Sequence, residues 1–184
     1  MRSTARAFAT IDSMEYRLCR WINRAGRYPW IRQLFALVSR LGNGMIWYAM
    51  LLSLPIFAGS AGLTASLSMT FGALIGLLVY KLLKAVLVRE RPFISHSDID
   101  CLTAPLDRYS FPSGHTLHAV FFAVVASAWF PALAPALFCF AALTALSRPI
   151  LGLHYPTDVL VGGLIGWSLA QLILNLVPPT AALV

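Results

Sequence analysis

Apolar residues in this chain gather into long runs, and polar residues gather between them. The first run extends from Trp30 to about Ala58 and is broken by Gly42-Asn43-Gly44. Arg32, Gln33 and Arg40 make its first part too polar to cross a bilayer alone. Met45–Ala58 is therefore expected as the core of a first span, extended backwards by a tilted or interfacial turn. A second span runs from about Ala61 to Val88 and carries Gly72, Ala73 and Gly76, small residues that permit close helix packing. The third is Gly114–Phe130, followed by a tight turn at Pro131 to Pro135. The fourth is Ala136–Leu146 and somewhat beyond, and the fifth is Thr157–Val177, closed by Pro178-Pro179. Residues 89–112 form the one long polar loop. Ahead of the spans, Ile11, Met14, Leu18, Trp21, Ile22 and Ala25 recur at helical spacing, with Arg17, Arg20, Arg24 and Arg27 largely off that face. This pattern predicts an amphipathic helix lying in the membrane interface, its arginines near lipid phosphates.

Composition agrees with the pattern. Of 184 residues, 59% are apolar and 11% charged, against about half and a quarter in soluble domains. Mean hydropathy is +0.75. Disordered, collagen-like, disulfide-stapled and ordinary cytosolic classes are excluded. The expected fold is all-α: a polytopic membrane helix bundle of about five transmembrane helices (six if residues 30–41 also cross) plus the N-terminal interfacial helix. Residues 1–28 form the basic interfacial segment and residues 29–184 a single bundle, with 89–112 as a loop over the site. The first forty residues carry recurring arginines and no signal-peptide pattern. Cys19, Cys101 and Cys139 form no C-x-x-C pair, so neither a zinc knuckle nor a redox motif is supported.

An alternating path puts the ends of spans two and four, and the starts of spans three and five, on one membrane face. Three polar strings meet there: Lys84–Pro92, Pro112–His115 and Ser147–Asp158. Ionisable residues at such depth are expensive and read as functional by default. Lys84 and Arg91, seven apart, share a helix face if the helix persists that far; alone they also read as a snorkelling pair. Ser113 suits an N-cap and Gly114 lets an anion approach the backbone, with His115 in the first turn; alone this is also an ordinary cap. In the third string His154 and Asp158 are four apart. The carboxylate can therefore take the imidazole N–H and leave the other nitrogen as a nucleophile; alone they also read as a structural pair. Together the strings supply three cations with Arg148, a helix N-terminus, two histidines and a carboxylate, which is the inventory of phosphoryl transfer. No second acidic cluster accompanies them, as a two-metal phosphatase requires, so a metal-free route through phosphohistidine is favoured.

The strings read KAVLVRERP, PSGH and SRPILGLHYPTD. In that order they resemble the signature K-x6-R-P, P-S-G-H, S-R-x5-H-x3-D of the type 2 phosphatidic acid phosphatase family, membrane lipid phosphatases related to vanadium haloperoxidases. The resemblance covers roughly residues 80–160. It implies that Lys84, Arg91 and Arg148 clamp the phosphoryl oxygens with Ser113 and the Gly114 amide. It also implies that His154 attacks phosphorus, Asp158 orients it and His115 protonates the leaving oxygen. Members commonly have six spans; this chain reads as lacking the first.

The resemblance implies an integral membrane enzyme that hydrolyses a lipid phosphomonoester or diphosphate without cofactor or metal. Undecaprenyl diphosphate, phosphatidylglycerol phosphate, phosphatidic acid and lipid A phosphates offer the same reacting group. Membrane lipids are the expected surroundings, and no nucleic acid is a partner. The alternative is a non-catalytic membrane protein that binds or transports anionic lipids in the same cationic pocket. A haloperoxidase fits five lipid-spanning helices poorly. With five spans the N-terminal arginines share the active-site face, which the positive-inside rule would put in the cytoplasm. The resemblance implies the periplasmic face of a bacterial inner membrane, and functional cations bias the arginine count. His118, one turn after His115, reads as a packed or snorkelling histidine, with a place lining the site as the sharper reading. His96, Asp98, Asp100, Asp107 and Arg108 read as solvated loop charge, with a lid as the sharper reading.

Overall fold

The computed structural model describes residues 2–179, with side chains from Thr10 onward. Residue 1 of the expected interfacial segment and residues 180–184 of the expected bundle lie outside the described residues. All regular structure among those described is helical. In chain order it comprises α1 (Arg2–Asn23), a 3-10 turn (Arg24–Arg27), α2 (Pro29–Arg40), a π-turn (Leu41–Met45), α3 (Ile46–Leu87) and α4 (Pro92–Ser95). Then follow α5 (Gly114–Trp129), a second 3-10 turn (Pro131–Leu133), α6 (Ala134–Ile150) and α7 (Pro156–Leu176).

α3 is two antiparallel arms. Gly59, at φ 54° and ψ −133°, reverses the chain between residues 46–58 and 60–87, a conformation open to glycine and costly for other residues. Ser66 Oγ donates to Leu51 O across the arms at 2.9 Å, and a methyl on Gly62 would stand 2.0 Å from Leu54 O. The arms match the first two expected spans within a few residues, and α5, α6 and α7 match the other three. The stretches Pro29–Ser95, Pro131–Ile150 and Pro156–Leu176 are long and apolar enough to cross a membrane, and α5 is a shorter apolar helix.

Small residues set how the helices approach. α5 and α7 run parallel: a methyl on Gly162 would meet Ser113 O at 2.5 Å, and one on Gly166 would meet Leu117 O at 2.2 Å. The Ser113 N–H donates to Asp158 O at 3.0 Å, fixing the two N-termini at one depth. Against this pair the second arm of α3 places Gly72 on Phe121 and Gly76 on Leu117, the close packing expected of those glycines. Met69, Phe121, Val125, Ala170 and Ile173 fill the core, and Trp47 stacks on Phe122 with ring centres 4.8 Å apart.

Two local features depart from expectation. α3 ends at Leu87, and Val88 takes a left-handed conformation with φ 31°, which a β-branched side chain disfavours. Lys84 and Arg91 therefore do not share one helix face; the broken backbone carries Arg91 to the site from outside the helix. The long loop also contains a helical turn, α4, led by Pro92 at its first position.

α1 has two distinct faces. Ile11, Met14, Leu18 and Trp21 are exposed, as a lipid-facing stripe requires. The opposite edge grips the bundle: Cys19 and Asn23 are buried. Asn23 Nδ2 donates to Asp100 O and Ile150 O at 3.0 Å each, while its Oδ1 accepts from the Asp100 N–H. Among the arginines, Arg20 pairs with Asp98 at 2.7 Å and Arg27 stands 4.0 Å from Asp100, so these two face loop carboxylates.

Candidate active site

At the end of the bundle where α3 and α6 finish and α5 and α7 begin, a cavity of about 290 Å³ opens. Its wall includes Lys84, Arg91, Gly114, His115, Arg148 and His154, from all three polar strings. Ser113 and Asp158 are fully buried behind that wall. Trp47, Leu51, Leu74, Leu77 and Phe122 make the deeper part apolar. An anionic head with an apolar tail suits this division.

His154 lies in the link between α6 and α7. Arg91 Nη1 approaches its Nε2 at 3.3 Å and donates to Leu153 O at 2.7 Å. A guanidinium only donates, so Nε2 carries the lone pair and the proton of the neutral ring sits on Nδ1. That nitrogen faces Asp158 Oδ2 at 3.5 Å, longer than a formed hydrogen bond. Burial, then the charges of Arg91, Lys84 and Arg148, holds the His154 imidazole well below its ordinary pKa. The ring is thus a neutral base with its free nitrogen turned to the cations.

Asp107, read from sequence as solvated charge, occupies the cation cluster. Its carboxylate accepts from Lys84 Nζ at 2.7 and 2.8 Å and from Arg91 Nη2 at 2.7 Å. Tyr109 O takes a further Lys84 N–H at 2.9 Å. Burial raises the Asp107 pKa, but the bond and charge of Lys84, with Arg91 behind, bring it below the ordinary carboxylate value. Two of the three cations are thus satisfied by the chain's own anion.

Arg148 is buried and donates to Ser39 Oγ and Ser147 Oγ. Ser113 caps α5 as expected: its Oγ meets Thr116 Oγ1 at 3.0 Å and accepts from the Thr116 N–H at 3.4 Å. The Ser113 side chain is fully buried, and the Gly114 end of the helix faces the cavity. His115 bonds through Nε2 to Asn43 Oδ1. Asn43 sits in the π-turn beside Gly44, whose φ of 128° bends the backbone there; from sequence this glycine pair read only as a break. His118 also lines the cavity, with Nδ1 2.9 Å from Gly114 O and Nε2 3.2 Å from Ala73 O.

Arg89 was not singled out by sequence, where it reads as one more cation at a span end. It is buried, and Nη1 donates to Asp158 Oδ1 at 2.5 Å and Thr157 Oγ1 at 2.7 Å. Nη2 donates to Asp12 at 2.6 Å and Glu15 at 2.8 Å, and Nε to Asp12 at 2.8 Å. The missed signal was Asp12 and Glu15, three apart on the edge of α1 that turns away from its apolar stripe.

A family model described as the PAP2 superfamily matches residues 62–181. The chain is 34% identical over 125 residues to decaprenylphosphoryl-5-phosphoribose phosphatase of Mycolicibacterium smegmatis, covering 68% of this chain and 67% of that one. The crystal structure of LpxE from Aquifex aeolicus is similar with a TM-score of 0.72 and 30% identity, covering 88% and 95% of the two chains. A transmembrane PAP2-type phosphatidylglycerolphosphate phosphatase from Bacillus subtilis shares the fold, with a TM-score of 0.76 at 24% identity over 91% of this chain and 86% of that one.

Proposed function

The chain belongs to the PAP2 superfamily and is an integral membrane lipid phosphatase; from that premise we propose that it cleaves its substrate through a phosphohistidine on His154. The observation that carries this reading is the Arg91–His154 contact, which leaves a neutral imidazole with its lone pair among three cations.

In the proposed cycle the substrate phosphoryl group takes the place held by the Asp107 carboxylate. Lys84, Arg91 and Arg148 neutralise its oxygens, and the Gly114 end of α5, held by the Ser113 cap, adds backbone N–H groups. His154 Nε2 attacks phosphorus as the bond to the lipid oxygen breaks, and His115 supplies the proton that oxygen needs. The Nδ1 proton turns to Asp158, which stabilises the cationic ring. In the second step His115 takes a proton from water, the hydroxyl attacks the phosphohistidine, and inorganic phosphate leaves with the imidazole restored. Residues 89–112 serve as the active-site loop, since Asp107 and Arg91 both come from it.

For the substrate we favour a lipid phosphomonoester or diphosphate. The Mycolicibacterium relative is named for a polyprenyl phosphosugar, and the apolar depth of the cavity accommodates the start of a hydrocarbon chain. We place the site on the periplasmic face of a bacterial inner membrane. Exposed Cys101 lies in the site-side loop, so a membrane-impermeant maleimide should label it in intact cells carrying Cys139→Ala; labelling only after lysis would reverse the orientation.

The test is phosphate release by purified protein across undecaprenyl diphosphate, phosphatidylglycerol phosphate, phosphatidic acid and lipid A phosphates. At least one should turn over and His154→Ala should not, with orthovanadate inhibiting and chelators without effect. Full turnover by His154→Ala would refute the phosphohistidine route.

A further inference from the structure

Resting on the phosphohistidine reading, we infer that Arg89 is a positioning residue that aims the Asp158 carboxylate at His154 and ties helix α1 to that carboxylate. Arg89 is not on the cavity wall, so it cannot touch the phosphoryl group from where it stands. What it touches is the group behind the nucleophile. Asp158 is held at Oδ1 by Arg89 Nη1 at 2.5 Å and at Oδ2 by the Tyr155 N–H at 2.8 Å, and the Ser110 hydroxyl also reaches its carboxylate. Those bonds fix the rotation of the carboxylate, and Oδ2 is thereby the oxygen presented to His154 Nδ1. Removing Arg89 takes away the charged anchor on Oδ1 and loosens the carboxylate.

The guanidinium is itself held from every side. Asp12 and Glu15 of α1 take Nη2 and Nε, the Tyr155 ring lies 4.1 Å beneath its central carbon, and its own carbonyl accepts from the Ser110 N–H at 2.9 Å. Glu15 also accepts from the Thr157 N–H at 2.7 Å and from Thr157 Oγ1 at 2.6 Å. The first turn of α7, which carries Asp158, is therefore gripped by α1 both directly and through Arg89. A buried guanidinium with three carboxylates is costly to disturb, which makes it a stiff support for the one carboxylate that faces the nucleophile.

A residue that only staples α1 to the bundle and one that acts through Asp158 differ in a double-mutant cycle on kcat. The experiment uses the full-length protein, the best lipid of the phosphate-release panel, and Arg89→Met, Arg89→Lys, Asp158→Asn and the two Arg89 variants combined with Asp158→Asn. Arg89→Met is expected to lower kcat about 100-fold with KM changed by less than about threefold, because the phosphate-binding cations remain. In the Asp158→Asn background the same change should cost less than about twofold, since the group it aims is already lost. Arg89→Lys keeps a charge for Asp158 and should recover part of the loss. If Arg89→Met does not fold, the Arg89→Lys pair of measurements carries the same comparison.

Unchanged kcat in a folded Arg89→Met protein overturns the inference, as does unchanged kcat in Arg89→Lys where Arg89→Met does not fold. An equal loss of kcat in the wild-type and Asp158→Asn backgrounds also overturns it. In both cases an inactive His154→Ala protein leaves the phosphohistidine reading standing. Full activity of His154→Ala, by contrast, takes down that reading and the inference together.

Discussion

The Asp107 carboxylate sits on Lys84 Nζ with both oxygens, at 2.7 and 2.8 Å. In the proposed cycle a phosphoryl group entering the cavity displaces it. Asp107→Asn removes the competing charge while keeping the shape, so KM for the lipid phosphate should fall by up to about tenfold, equivalent to about 1.4 kcal/mol. Steady-state kinetics and orthovanadate inhibition both read this. A rise in KM would show that Asp107 organises the cations instead of screening them.

The depressed pKa of His154 sets a spectroscopic expectation. Histidine-labelled protein should show one imidazole, absent from His154→Asn, that stays neutral through pH 6.5, where a free histidine is half protonated. The sign for stability follows. Below pH 6.5 the unfolded chain takes up a proton that the folded ring does not, so this group lowers stability as pH falls from 6.5 toward the folded-state pKa. A His154 that titrates at or above 6.5 contradicts the cationic surroundings described for it.

Asn43 holds His115 through Nε2. Asn43→Ala should slow turnover about tenfold for substrates with poor leaving groups, a fraction of the about 10²–10⁴-fold that proton transfer commonly supplies. Aryl phosphates, whose leaving oxygen needs no proton, should be nearly unaffected. Comparison of lipid and aryl phosphate rates decides it, and an equal loss on both would assign Asn43 to folding.

Gly166 tests the helix pairing beneath the site. A methyl there would stand 2.2 Å from Leu117 O, a backbone atom that cannot rotate away. Gly166→Ala should destabilise the bundle by about 1–3 kcal/mol through overpacking. Thermal unfolding in detergent measures it; an unchanged midpoint would mean that α5 and α7 separate at little cost.

Much of this arrangement was legible in the chain. The five runs foretold the helices because each crossing needs an uninterrupted apolar length, and Gly and Pro mark their ends. His154, His115, Lys84, Arg91, Gly114 and Arg148 were legible as a group because charge is rare at such depth, and the cavity wall brings those six together. Arg89 was not legible: its partners Asp12 and Glu15 lie about 75 positions away, and only folding brings α1 to it. Asp107 was hidden for a different reason. An aspartate in a polar loop looks solvated until the loop folds back over Lys84. Asn43 read as a helix breaker because its partner lies on another helix. In each case the missing information was a contact distant in sequence and carried by a single polar side chain, which leaves no periodic trace.

The reversal at Gly59 and the short turn Pro131–Leu133 are the described connections at the far end of the bundle. No Asp, Glu, Lys or Arg occurs in residues 41–80, 116–147 or 159–184. The molecule is therefore electrically one-sided. Among the described residues, a change in ionic strength, pH or anionic lipid on the remote leaflet finds no charged side chain to act upon, whereas the same change on the working leaflet meets the cations and carboxylates of the site. The described charges through which the surroundings can act are thus gathered at the end of the bundle that carries the candidate site.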